Sequence, residues 1–168
     1  MSFLFIFFVW RRGDWRNWTK YYPTVLFMIV ISLLENVITT NHHLWMMINS
    51  PSNTSTLANS LYVTFTTFPA TVLLYLSNYP QKNHHKVCYM LLWVLIYSVL
   101  EYGFGLLEFY SYANGWSLGW SIIFNCFMFP ILQLHHKNSL LAWLCSGIII
   151  LFIWFHFGFS FEVLKDTP

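Results

Sequence analysis

Residues 139–159 read SLLAWLCSGIIILFIWFHFGF, a stretch with no Asp, Glu, Lys or Arg. A helix of about 20 apolar residues crosses about 30 Å of hydrocarbon, and this stretch has that length and character. The pattern recurs: no charged residue lies between Glu35 and Lys82, or between Glu108 and Lys137. Runs such as Val25-Leu26-Phe27-Met28-Ile29-Val30-Ile31 do not alternate polar with apolar, which excludes the strands of a membrane barrel. Backbone groups in lipid must bond to one another, so the spans are expected to be helices. The whole chain agrees. Of its 168 residues 57% are hydrophobic and 8% charged, against roughly 25% charged in an average soluble domain. Such a composition excludes disorder, a coiled coil, a nucleic-acid binder and almost any cytosolic enzyme.

The expected fold is an all-α membrane protein, a bundle of five transmembrane helices over about 22–42, 58–78, 87–107, 117–135 and 139–159. The joints suit it. Asn49-Ser50-Pro51-Ser52-Asn53-Thr54-Ser55 and Asn78-Tyr79-Pro80-Gln81-Lys82-Asn83 are polar and carry helix breakers, and Asn114-Gly115 marks a tight turn. His135-His136-Lys137-Asn138 is the shortest joint, so the last two helices should form a close antiparallel hairpin. Lys and Arg set the expected orientation. Arg11, Arg12, Arg16, Lys20, Lys82, Lys86 and Lys137 all fall on one side, and Lys165 alone falls on the other. The residues before the first span should therefore face the cytoplasm. The short tail, 160–168, should face outward.

Residues 1–21 are expected to lie on the cytoplasmic surface as an amphipathic interfacial helix. Met1–Trp10 is apolar but too short to cross. It lacks the leading positive charge and the cleavage site of a secretory signal, and an Arg pair after the apolar run does not fit a twin-arginine signal. If residues 10–20 are helical, Arg12, Arg16 and Lys20 stack on one stripe while Trp15 and Trp18 point elsewhere. Basic heads toward anionic headgroups and indoles at the interface describe a membrane anchor.

Cys88, Cys126 and Cys145 all fall within spans, which argues for free thiols. No CxxC, HExxH, Walker loop, GxSxG or paired glutamates of an intramembrane protease is present. Intramembrane ionisable groups cost about 2.5–3.5 kcal/mol each on insertion scales and so need a reason. Glu35, Glu101 and Glu108 qualify, with Asn36, Asn125 and His156 at similar heights toward the outer ends of their spans. Tyr97, Glu101, Gly105 and Glu108 form one helical stripe; Ser32, Glu35, Asn36, Thr39 and Thr40 form another. Thr64, Thr67 and Thr71 form a third, and Ser121 with Asn125 a fourth. Turned inward, the stripes make either a polar pocket for a cation, a proton or a small ligand, or interhelical hydrogen bonds between ordinary helix residues. His42-His43, His84-His85 and His135-His136 come as pairs. Adjacent histidines diverge on a helix, so these read as interfacial residues rather than metal ligands. The two inner pairs, each following a Phe-Pro step (Phe68-Pro69, Phe129-Pro130), hint at two related hairpins, with kinks at the prolines.

The blocks Gly13-Asp14-Trp15-Arg16-Asn17-Trp18, Lys20-Tyr21-Tyr22-Pro23-Thr24, Pro69-Ala70-Thr71-Val72-Leu73, Asn114-Gly115-Trp116, Phe129-Pro130-Ile131-Leu132 and Leu141-Ala142-Trp143 resemble a family of small polytopic membrane proteins from endospore-forming Gram-positive bacteria. The resemblance covers essentially the whole chain. It implies a multi-pass protein of the cell membrane and carries over no catalytic residue. Three functions stay open. One is a non-enzymatic sensing, scaffolding or partner subunit, and another a small oligomeric transporter or channel using Glu35, Glu101 and Asn125. The third is a lipid-acting enzyme with Glu101, Glu108 and His156 as acid and base. The expected partners are a bilayer with anionic headgroups and another membrane protein or a second copy. No cofactor, metal or nucleic acid is expected.

Overall fold

Gly13 ends the N-terminal helix, α1 (Ser2–Arg12). Its N–H donates to the Val9 carbonyl at 2.8 Å, and a Cβ there would stand 2.7 Å from that same oxygen. Only glycine closes the turn without a shift. Asp14 organises the next turn: both its carboxylate oxygens accept from the Asn17 amide at 2.9 Å, and one accepts from the Tyr21 hydroxyl at 3.2 Å. A single 3-10 turn, Trp15–Asn17, leads into α2 (Trp18–Ile38). The N-terminal helix expected over residues 1–21 therefore ends at Arg12, and the stripe drawn for a helical 10–20 is interrupted. Arg12 closes one helix, Arg16 sits in the turn beside the Trp15 ring, and Lys20 belongs to the first long helix, which starts four residues before the expected 22. Trp15 and Trp18 remain exposed. α1 packs along α3, with Val9 against the core and the Arg12 carbonyl accepting from the Asn78 amide at 3.3 Å.

The computed structural model describes residues 2–47 and 55–159. Of the polar loop expected over 49–55, residues 49–54 lie outside the described residues, as does the tail 160–168. The other long helices are α3 (Thr56–Ser77), α4 (Asn83–Leu106), α5 (Leu118–Lys137) and α6 (Ser139–His156). All five, α2 to α6, are long and apolar enough to cross a membrane. Both α3 and α5 run unbroken through their prolines, Pro69 and Pro130. α5 is central: it packs on α2, α4 and α6, while α2 packs on α3. Asn138 joins α5 to α6 alone, its N–H capping the Leu134 carbonyl and its side chain accepting from Leu141 N–H. That is the close hairpin expected from the sequence. α3 and α4 pair differently. Aromatic rings stand between them, Tyr75 stacking on Tyr89 at 5.5 Å and meeting Trp93 edge-on at 5.9 Å, so the two hairpins are not alike.

The outward faces are stripes of bare hydrocarbon. Leu91, Leu95, Val99, Tyr102 and Leu106 are exposed on α4, and Leu140, Leu144, Ile148, Leu151 and Phe155 on α6. Water-soluble monomers do not expose apolar faces of this extent. The end of the bundle carrying Arg11, Arg12, Lys82, Lys86 and Lys137 is the basic end. At the other end the chain adds an element that the helical periodicity does not announce. The two-stranded antiparallel pair β1 (Trp45–Met47) and β2 (Tyr110–Tyr112) sets Trp45 opposite Tyr112 and Met47 opposite Tyr110. Asn114 and Gly115, with φ of 51° and 82°, come next in a turn closed by Trp116 N–H on the Ala113 carbonyl at 3.0 Å. This is the turn expected at Asn114-Gly115, with the mirror-image backbone that favours these two residues.

Near the basic end His135 is buried in the bundle rather than at its interface. Its Nδ1 shares a 3.0 Å hydrogen bond with Thr24, and its ring stacks on Phe27 at 4.2 Å. Replacing Thr24 with Val leaves that ring nitrogen buried and unpaired. Such a loss costs about 1–3 kcal/mol, so T24V should unfold at distinctly lower temperature in detergent. An unchanged melting midpoint would show that this bond does not hold α2 to α5.

Candidate functional site: a cavity at the sheet end of the bundle

The four polar stripes expected to turn inward divide into two kinds. Serine and threonine pair between helices. Ser32 on α2 shares a 2.7 Å hydrogen bond with Thr64 on α3, and Thr71 on α3 shares one of 2.6 Å with the Tyr97 hydroxyl on α4. Thr64 and Thr71 also bond back to the carbonyls of Ser60 and Thr67, both at 2.8 Å. These residues are helix glue.

Glu35, Glu101 and Asn125 do something else. They come from α2, α4 and α5 and line one cavity of about 250 Å³. Tyr112 on β2 donates its hydroxyl to Glu101 Oε1 at 2.8 Å, and Ser121 stands beside the same carboxyl. The Ser121 hydroxyl in turn accepts from the Trp116 indole at 2.9 Å. Thr39 stands next to the Glu35 carboxyl, with its hydroxyl donating to the Glu35 main-chain carbonyl at 2.9 Å. Tyr110 lies close enough to feel both carboxylates. Burial first, and the Glu101 carboxylate after it, raise the hydroxyls of both Tyr110 and Tyr112 above the ordinary phenol range. Both therefore stay protonated and able to donate near neutral pH. Asn125 is 5% exposed and its side chain makes no hydrogen bond with any described residue. Among the described residues no Lys, Arg or His lines the cavity. Apart from Ser146, its remaining walls are aliphatic and aromatic, with the Trp45 and Tyr110 rings stacked at 5.4 Å across the strand pair.

The sheet end is closed by a second apolar cluster of Leu44, Phe157 and Phe159. Gly158, at φ 68°, ends α6 and lets the Phe159 N–H reach the Trp154 carbonyl at 3.0 Å. This Schellman turn directs Phe159 back over the cavity, which it helps to line. His42 anchors the opposite side through a 3.1 Å bond to the Phe157 carbonyl.

Three expected members of the polar layer stand elsewhere. Glu108 is exposed and sits at φ 58°, where it terminates α4 in the same kind of turn, with Phe109 N–H on the Phe104 carbonyl at 3.1 Å. Counting along a helix places it on the Glu101 stripe, but the helix stops before it. His156 is exposed, with its ring stacked on Phe152 at 5.5 Å and near Trp120 at 4.7 Å. Neither Glu108 nor His156 lines the cavity with Glu101, so the acid–base trio of an enzyme is not assembled there. Asn36 opens with Glu35, Thr40 and His43 onto a neighbouring cleft and donates to the Ser32 carbonyl at 2.8 Å. The residues missed from the sequence are Trp45, Tyr110 and Tyr112. Only Tyr110-Ser111-Tyr112 alternates at all, over too few residues to announce a strand.

Among the described residues no three His, Cys, Asp or Glu side chains gather as metal ligands would, and all three cysteines are free. No protein family, curated protein or solved structure matches the chain. Replacing Tyr112 with Phe removes the 2.8 Å hydrogen bond to Glu101. A lost hydrogen bond to a charged group is worth about 1.5–3 kcal/mol, so Y112F should lower the detergent melting midpoint by several degrees. A midpoint equal to the wild type would dissociate Tyr112 from the carboxyl.

Proposed function

We propose that the chain is a multi-pass cell-membrane protein that binds a small molecule inside its helical bundle. It acts as a sensing or partner subunit rather than as an enzyme. The single observation that carries this reading is the cavity between helices that Glu35, Glu101 and Asn125 all line. Binding sites in helical bundles have this form: mostly apolar walls with a few converging polar groups. Intramembrane carboxyls that face an interior cavity mark ligand or ion paths by default. The placement of charge supports a cytoplasmic basic end, which puts the cavity in the outer half of the bilayer and the strand pair at the outer surface. The exposed Trp15 and Trp18, with Arg12 and Arg16, then lie at the anionic cytoplasmic interface. The motif resemblance to membrane proteins of endospore-forming bacteria supports the same location. A second reading, an oligomeric transporter or channel, draws on the same cavity, whose acidic groups would then form part of a path.

Two measurements test the proposal. In a background lacking the native cysteines, single cysteines at Gln81 and Asn138 should resist an impermeant maleimide in intact cells, while one at Asn114 reacts. Reaction of Gln81 and Asn138 on opposite sides would overturn the threading. For binding, propylbenzene should raise the melting midpoint of the wild type in detergent. It should leave a Ser146→Phe variant unmoved, because Ser146 lines the cavity and phenylalanine would fill it. Equal shifts in both proteins, or none in either, would contradict a binding cavity.

A further inference from the structure

We infer that the cavity takes a small organic cation, an ammonium group on an apolar body, with the charge seated between Glu35, Glu101 and Asn125 and the body against the aromatic wall. This inference rests on the cavity being a binding site and names what it binds. Four observations converge on it. First, two carboxyls line one small space, and among the described residues no basic side chain lines it with them. Carboxylates withdrawn from water without a cation are expensive, and a bound cation removes that cost. Second, the Asn125 amide is nine-tenths buried, lines the same space and has no partner among the described residues. Its carbonyl can accept from an ammonium N–H.

Third, the walls carry Trp45, Tyr97, Tyr110 and Trp116. Aromatic faces attract an ammonium ion through their quadrupoles, and more strongly when water is excluded. Fourth, the volume of about 250 Å³ lies below the roughly 300–1,000 Å³ of sites for drug-sized molecules, so the ligand is small. The competing chemistries fit less well. An anion would meet two carboxyls. A bare metal ion would leave the aromatic walls unused and would find no set of three ligating His, Cys, Asp or Glu side chains among the described residues. A neutral hydrocarbon would offer the two carboxyls and Asn125 no polar contact.

The test compares three probes of one shape on the purified full chain in maltoside detergent, followed by calorimetry and by tryptophan fluorescence. They are 2-phenylethylammonium, its uncharged counterpart propylbenzene and the anion 3-phenylpropanoate. The ammonium should bind about tenfold or more tighter than propylbenzene, and the carboxylate should not bind. Glu35→Gln and Glu101→Gln should each weaken ammonium binding about tenfold and leave propylbenzene binding unchanged, which also certifies that the variants are folded. Propylbenzene binding as tightly as the ammonium, or variants that keep full ammonium affinity, would overturn the inference while leaving the cavity a binding site. Failure of all three probes would overturn both readings. Should either variant not fold, the wild-type comparison of ammonium with propylbenzene decides.

Discussion

In hydrocarbon a polar side chain has no solvent to fall back on, so every such group must find a partner within the bundle or face an interior space. The serines, threonines, glutamates and Asn125 of the long helices sort by that rule, while the Tyr75 hydroxyl is buried with no hydrogen-bond partner among the described residues. Short hydroxyls reach a neighbouring helix or their own backbone, and Ser32–Thr64 and Thr71–Tyr97 use them to fix α2 to α3 and α3 to α4. Glu35, Glu101 and Asn125 are longer or more demanding, and they are left around a cavity. The same constraint explains the bare leucine stripes of α4 and α6, which need nothing but lipid opposite them.

Much of this is legible in the sequence because charge scarcity and helix length are local properties. The five long helices fall within a few residues of the expected spans, and the one-residue joint at Asn138 matches the brevity of the connection. Glu35, Glu101 and Asn125 stand out by helical spacing alone and share one cavity. The errors have equally physical origins. Helical counting runs past the true end of α4, and so it sets Glu108 on a stripe when the residue forms the turn. It also runs through Gly13, whose closeness to the Val9 carbonyl breaks the N-terminal helix in two. His135 reads as interfacial because Lys137 is so near, yet it sits on the face of α5 that carries Phe129 and Leu132. The strand pair is beyond reach, since residues 45 and 112 meet only through the tertiary fold.

That strand pair ties the site to the fold. Tyr110 and Tyr112 come from a segment between α4 and α5, and Trp45 from the segment after α2. Trp45 and Tyr110 line the cavity, and Tyr112 holds Glu101 through its hydroxyl. The Schellman turn at Gly158 brings Phe159 to the same end. A site assembled from the termini of several helices, rather than from one motif, leaves no short signature in the sequence.

Lipid surrounds α4 on one face while its other face packs into the bundle through Trp93, Val94 and Tyr97. Nitroxide labels placed singly along Asn83–Leu106 in liposomes test it directly, through relaxation by oxygen and by a polar nickel chelate. Oxygen accessibility should rise and fall with a helical period, highest at Leu91, Leu95, Val99 and Tyr102 and lowest at Trp93, Val94, Tyr97 and Glu101. Uniform accessibility to the nickel chelate along the helix, with no such period, would contradict the account.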